Sequence, residues 1–252
     1  MVGGTRRDFA QGQTRARHED SPKGGEFRAW HGFAKAANFE PGTDLRRTRG
    51  SGFCATFNNM LPLPDYEELA KQAHGHLCAG QILGLRMALY GVHLLGIEDP
   101  AGADRKRLVT FVEIDRCATD AISVVTGCRL GKRALKFRDF GKVAATFCDL
   151  RDGRAVRVVA RESSKQRARE LYPEIENKNQ QQMRAYREMS DGELFDVQWV
   201  RVQIGPEDLP GYKAPRVVCA QCGEGINFRR EVMRDGIVLC RACAGESYYQ
   251  AL

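Results

Sequence analysis

No run of eighteen apolar residues free of charge occurs in this 252-residue chain; the longest candidate, residues 82–97, is interrupted by Arg86 and punctuated by glycines. A membrane-spanning helix needs about 20 predominantly apolar residues, so none is expected. Nor is an export leader expected. Thr5-Arg6-Arg7-Asp8-Phe9 has the paired arginines of a twin-arginine signal, but Ala10-Gln11-Gly12-Gln13-Thr14-Arg15 supplies no apolar core behind it. Aromatic residues are thin near the basic C-terminus, where Phe228 and the Tyr248-Tyr249 pair are poor material for a base-stacking platform. These absences point to a soluble, cytoplasmic protein.

What is present includes nine cysteines and five histidines, with two CxxC pairs. In a reducing compartment that pattern reads as metal ligands and reactive thiols more than as a disulfide framework. The net charge is +7, but much of the excess comes from Arg6, Arg7, Arg15, Arg17, Arg28, Arg46, Arg47 and Arg49. Residues 1–59 are rich in Gly and Arg and follow no period of 2 or 3.6. They are expected to be a disordered or non-native extension, with Met60 as the native initiator.

After Met60 the pattern becomes regular. Leu61-Pro62-Leu63-Pro64-Asp65 leads into a helix over 66–73, and residues 80–95 read as a buried helix because apolar positions leave it almost no polar face. Gly80, Gly84 and Ala88 form a small-residue stripe along it that lets another helix come close, and Gly96 is the expected left-handed stop. Residues 108–114 read as a strand. Thr119 or Asp120 is expected to cap a helix over 121–126, stopped by Gly127. Residues 142–150 and 155–161 read as an antiparallel pair around Asp152-Gly153. Residues 163–171 and 177–189 form a charged, solvated helical arm. Ser190-Asp191-Gly192-Glu193 fits a capping box, and 197–204 reads as a strand. The domains expected are thus a core over 60–204, a linker over 205–216 and a small C-terminal unit over 217–247.

Two constellations carry chemistry. In the C-terminal unit, Cys219-Ala220-Gln221-Cys222 and Cys240-Arg241-Ala242-Cys243 are separated by seventeen residues. Four thiolates at this spacing complete a tetrahedral zinc site with no open position, so a structural zinc ribbon is expected. The other is Ala73-His74-Gly75-His76-Leu77-Cys78-Ala79-Gly80. An extended loop entering a helix best brings His74, His76 and Cys78 to one side, and Gly75 permits the backbone angles this needs. A cysteine at a helix N-terminus has its thiolate favoured by the dipole, an argument that covers Cys78 and Cys117. Cys54, Cys128 and Cys148 are expected to be core or incidental thiols, and His93 a packing residue.

The chain resembles the FmdE family, named for the molybdenum formylmethanofuran dehydrogenase operon. The resemblance spans roughly residues 61–204 and rests on His74-Gly75-His76-Leu77-Cys78 with Gly80, Gly84 and Arg86; Cys117 with Asp120-Ala121-Ile122; Thr126-Gly127-Cys128 with Gly131-Lys132; and Asp139 with Gly141-Lys142. It implies an α+β core of antiparallel sheet and helices, a homodimer, and a cleft where Cys78 and Cys117 serve metal or thiol chemistry. Carried over residue by residue, it nominates His74, His76, Cys78 and Cys117 for a second metal ion of unknown identity. Cys78, Cys117, Asp120, Lys132 and Lys142 are its candidates for catalysis or substrate contact. Two departures from the family pattern are Ala79, where proline usually follows the cysteine, and Arg129, where threonine often follows the Gly-Cys pair. No molybdopterin-binding or iron–sulfur motif is evident, so the resemblance implies an accessory to a molybdenum or tungsten enzyme and not its catalytic subunit. The alternative is a zinc-ribbon regulator or nucleic-acid-binding protein, with Arg229, Arg230, Arg234 and Arg241 facing phosphate.

Overall fold

Helix α2 (Ala79–Leu94) is the element on which the rest is packed, because almost every face of it is apolar or small. The computed structural model describes residues 60–250; the extension 1–59, with Cys54, lies outside these. Helix α1 (Leu63–His74) enters through Pro62, with a proline in its first turn, where the missing N–H would have had no intrahelical partner. It ends at Gly75, whose φ of 91° turns the chain sharply towards α2.

A five-stranded sheet lies against α2, in the order β2-β1-β3-β4-β5. Strands β1 (Leu108–Val112), β3 (Ala144–Asp149), β4 (Ala155–Ala160) and β5 (Phe195–Val200) each run antiparallel to the next. β2 (Leu135–Phe137) instead runs parallel to β1, a departure from the all-antiparallel expectation. The connection explains it: helix α3 (Cys117–Thr126) occupies the crossover, as a parallel pair requires. α3 starts at Cys117, earlier than expected, and its cap is Arg116 without a side-chain bond. Thr119 does not cap; its hydroxyl donates back to the Ile114 carbonyl. Gly127 ends the helix in the left-handed conformation, as anticipated.

Ile82, Leu85 and Val92 of α2 meet Phe147, Val156 and Val158 of the sheet in one core. Two glycines set the spacing. A Cβ on Gly91 would lie 2.2 Å from the Phe147 ring, and one on Gly84 would lie 2.5 Å from the Ala118 carbonyl oxygen. The small-residue stripe is therefore the contact face for α3.

Helices α4 (Ser163–Leu171) and α5 (Lys178–Glu188) are not the solvated arm their charge suggests. Ala168, Ala185 and Tyr186 are buried, and α5 lies along α2. Charged residues occupy the outer face while alanines supply the inner one, which composition alone does not resolve. Arg86 of α2 donates to the carbonyls of Tyr186 (2.8 Å), Arg187 (3.2 Å) and Met189 (2.9 Å), and to Asp191 (2.7 Å). Asp191 opens the short helix α6 (Asp191–Leu194), which carries the predicted capping box of Ser190 and Glu193. Arg86→Ala is expected to cost about 3–5 kcal/mol, because it strips a half-buried charge network from one side and leaves helix-end carbonyls unpaired. Urea unfolding at constant slope would measure this, and a loss below about 1 kcal/mol would contradict the role.

The stretch 205–216 is partly structured, with a 3-10 turn at Pro206–Asp208. Glu207 and Asp208 hold it to the sheet edge by accepting from Arg133 and Lys136. The C-terminal unit is two small hairpins, β6 (Val217–Val218) with β7 (Gly225–Ile226), and β8 (Val232–Arg234) with β9 (Ile237–Leu239). No helix among the described residues is long and apolar enough to cross a membrane.

Candidate metal centres

The two candidate centres differ in how far the chain has assembled them. In the ribbon, the Sγ atoms of Cys219, Cys222, Cys240 and Cys243 all lie within 4.8 Å of one another. Cys222 and Cys240 are 3.9 Å apart, against about 3.8 Å for sulfurs at 2.3 Å from a tetrahedral zinc. Electrostatics agree with the geometry. Backbone N–H groups of Cys222 and Cys240 hold the Cys219 thiol down to about 6, whereas the neighbouring Cys240 thiol and then burial push Cys243 up to about 12. Four thiolates cannot ionise together here without a cation to balance them. A divalent ion provides that balance, so the donor set fits zinc in a closed, structural role.

The core centre forms where three turns meet. His74 ends α1, Gly75 redirects the chain, and Cys78 is the residue that caps α2, in extended backbone. Cys117 is the first residue of α3. The glycine stripe brings the last two together: a Cβ on Gly80 would lie 3.4 Å from Cys117 Cβ and 3.8 Å from Cys78 Sγ. The imidazoles of His74 and His76 have ring centroids 4.8 Å apart. Asp120, one turn after Cys117, accepts a 2.7 Å hydrogen bond from His74 Nδ1. That bond fixes the ring and its tautomer, leaving Nε2 as the nitrogen able to bind a ligand.

One expectation about this centre is outweighed: the backbone N–H at the start of α3 lowers the Cys117 thiol, but burial, followed by the adjacent Cys78 thiol, raises it more. Lys132 and Lys142 take different places. Lys132 sits in a 3-10 turn (Leu130–Lys132) where its charge bears on Cys128, and Lys142 is exposed beyond β2, with its backbone N–H on the Glu113 carbonyl. Lys132 thus lies by the C-terminal end of α3, whereas Lys142 returns to the end of β1 from which the chain runs on to Cys117. Cys128 and Cys148 are buried core thiols, as expected. Among the described residues, the ribbon is the one group of three or more His, Cys, Asp or Glu side chains whose ligand atoms converge. The four core side chains are neighbours without being closed around a point.

Sequence reasoning missed Asn179, whose Oδ1 accepts the Ala79 N–H at 2.9 Å. The proline usual at this position would have no such donor. Ala79 leaves one, and α5 reaches across to satisfy it. The basic residues proposed to face phosphate are partly spent within the ribbon: Arg230 pairs with Asp208, Arg234 donates to the Ala244 carbonyl, and Arg241 lies 3.8 Å from Glu246.

Fold and centres together define an α+β protein with a zinc-binding ribbon at its C-terminus. Residues 73–196 match the family described as FmdE, Molybdenum formylmethanofuran dehydrogenase operon, and residues 213–249 match the prokaryotic dksA/traR C4-type zinc finger. The chain therefore carries an FmdE domain followed by a C4-type zinc finger, and is a metal-binding protein. A curated relative, the "Probable S-adenosyl-L-methionine-binding protein" of Archaeoglobus fulgidus, is 33% identical over 199 residues, which are 71% of this chain and 52% of that protein. The chain thus spans about half the length of the curated relative it matches. A crystal structure of a tungsten formylmethanofuran dehydrogenase FmdE-like protein from Syntrophus aciditrophicus shares the fold, with a TM-score of 0.52 at 22% identity, covering 75% of this chain and 95% of that one.

Proposed function

We propose that His74, His76, Cys78 and Cys117 bind a second metal ion, and that the protein is a cytoplasmic, homodimeric accessory to a molybdenum or tungsten enzyme. The observation that carries this reading is the Asp120–His74 bond, 2.7 Å long, beside two juxtaposed thiols. A carboxylate holding one ring nitrogen is the usual second support of a metal-binding histidine. With two imidazoles and two thiols the donor set suits a soft or borderline transition metal. The similar protein from Syntrophus aciditrophicus is described as tungsten formylmethanofuran dehydrogenase FmdE-like, which supports the accessory role. At the same centre Cys78 is the candidate for thiol chemistry towards a bound cofactor.

Metal content per chain tests it, with the ribbon zinc as internal reference. Wild type is expected to hold two ions and Cys78→Ala one; a single ion in both proteins would refute the second centre. A second reading, binding of S-adenosyl-L-methionine, is favoured by the 33% identity to the Archaeoglobus fulgidus protein. Equilibrium dialysis with that compound separates the two, because saturable binding that survives Cys78→Ala belongs to the second.

A further inference from the structure

A cleft of about 400 Å³ lies where the ribbon meets the edge strand β2, and none of the ribbon or core cysteines lines it. Four cations, Arg133, Lys136, Arg138 and Arg230, line it against one carboxylate, Asp208. Their convergence is felt within the group: burial lowers the Lys136 ammonium, and Arg133, Arg230 and Arg138 add to that while Asp208 opposes it. Like charges gathered at a half-buried edge cost free energy unless an anion answers them. Arg133 carries a further sign of one. Its Nη1 is buried with no hydrogen-bond acceptor among the described residues, although Nη2 donates to the Glu207 carbonyl.

The backbone around the cleft is unusual in the same way. Four residues other than glycine have positive φ among the described residues, and three of them border this cleft: Arg133 at 60°, Phe228 at 59° and Arg229 at 54°. Such conformations are uncommon for side chains of this size, and where they cluster they tend to mark positions held for a ligand. Here they set the Arg133 guanidinium 3.9 Å over the Phe228 ring, which keeps the fork rigid.

The apolar part of the lining limits what the anion is attached to. Leu130 is 65% exposed, Phe228 39% and Phe137 38%, so a hydrophobic wall stands open beside the cations. Bare phosphate would leave that wall unused, and the volume suits a ligand of nucleotide size. We propose that this cleft binds a nucleoside di- or triphosphate, its phosphates on Arg133, Lys136, Arg138 and Arg230 and its base against Phe137 and Phe228. A mononucleotide is preferred over a nucleic-acid strand because the open apolar wall beside these cations is made by a few side chains at one spot, Leu130, Phe137 and Phe228, enough for a single base.

Calorimetry on the zinc-loaded full chain tests this, with ADP, pyrophosphate, adenosine and a short single-stranded oligonucleotide as probes. ADP is expected to bind, pyrophosphate more weakly and adenosine not detectably. Arg138→Glu and Lys136→Met should each weaken ADP by about tenfold or more, since each removes a charge-assisted contact, with zinc content and circular dichroism unchanged. Adenosine as tight as ADP, pyrophosphate as tight as ADP, no heat with ADP, or ADP affinity untouched by both variants would each overturn the assignment. An oligonucleotide that binds more tightly than ADP would overturn it too, in favour of a nucleic-acid surface.

Discussion

Gly84→Val is expected to destabilise the protein by about 3 kcal/mol or more, or to prevent folding, with the loss of any ligand held by Cys78 and Cys117. A side chain at this position gains helix propensity worth at most about 1 kcal/mol over glycine. Against that stands a Cβ placed 2.5 Å from the Ala118 carbonyl oxygen and 2.7 Å from its Cα. Backbone inside a helix cannot swing away as a flexible side chain can, so α2 and α3 must separate and give up the packing that both share. Gly84→Ala should lie between, still on the destabilising side, because the first carbon already clashes. Gly192→Ala provides the control: a Cβ there meets nothing within 4 Å, and the change should be neutral. Thermal and urea melts of the three variants decide the matter, and a Gly84→Val protein as stable as wild type would refute the close approach.

Removing zinc from the ribbon should unfold that unit and leave the core standing. The ribbon's own buried apolar residues are few, chiefly Ile226 and Ala244 besides the Cys219 ligand. A set of two- and three-residue strands that buries so little needs another source of stability. In small finger domains a structural zinc contributes about 10 kcal/mol or more, far beyond what these hairpins gain from packing. Cys219→Ser, or chelation, is therefore expected to cut zinc to near zero at this centre and to expose residues 217–247 to hydrogen exchange and protease. Amides of α2 should keep their protection. Simultaneous loss of protection in α2 would contradict the separation, and unchanged exchange in the ribbon would contradict the zinc dependence.

The parts of this chain that could be read in advance are those written in local spacing. The CxxC pairs, the capping box at Ser190, the stops at Gly96 and Gly127 and the stripe from Gly80 to Ala88 each depend on residues a few positions apart. The meeting of Cys78 with Cys117 was legible too, because the stripe implied a close partner helix and the family resemblance supplied the second cysteine. What escaped depends on contacts between distant segments. That Asp120 would orient His74 follows from the crossing of α1 and α3, which no period in the sequence encodes. Arg86 could be noticed as a motif residue, but its role at the end of α5 spans about a hundred positions. The charges on α4 and α5 concealed an alanine face, since only one side of each helix need be apolar to pack. Lys132 was drawn to the site by the resemblance, while the β1–α3–β2 crossover sets it by Cys128, past the other end of α3.

The two ties between α2 and α5 have a shared arithmetic. Ala79 meets Asn179 and Arg86 meets Tyr186, each across 100 positions, so both helices advance together and point the same way. Parallel neighbours set their dipoles in repulsion, positive end beside positive end. Arg86 places its guanidinium on the last carbonyls of α5, where the negative pole lies, and Asn179 turns a carbonyl oxygen to the first amide of α2, where the positive pole lies. The same two side chains that hold the pair in register also neutralise the field that would drive it apart.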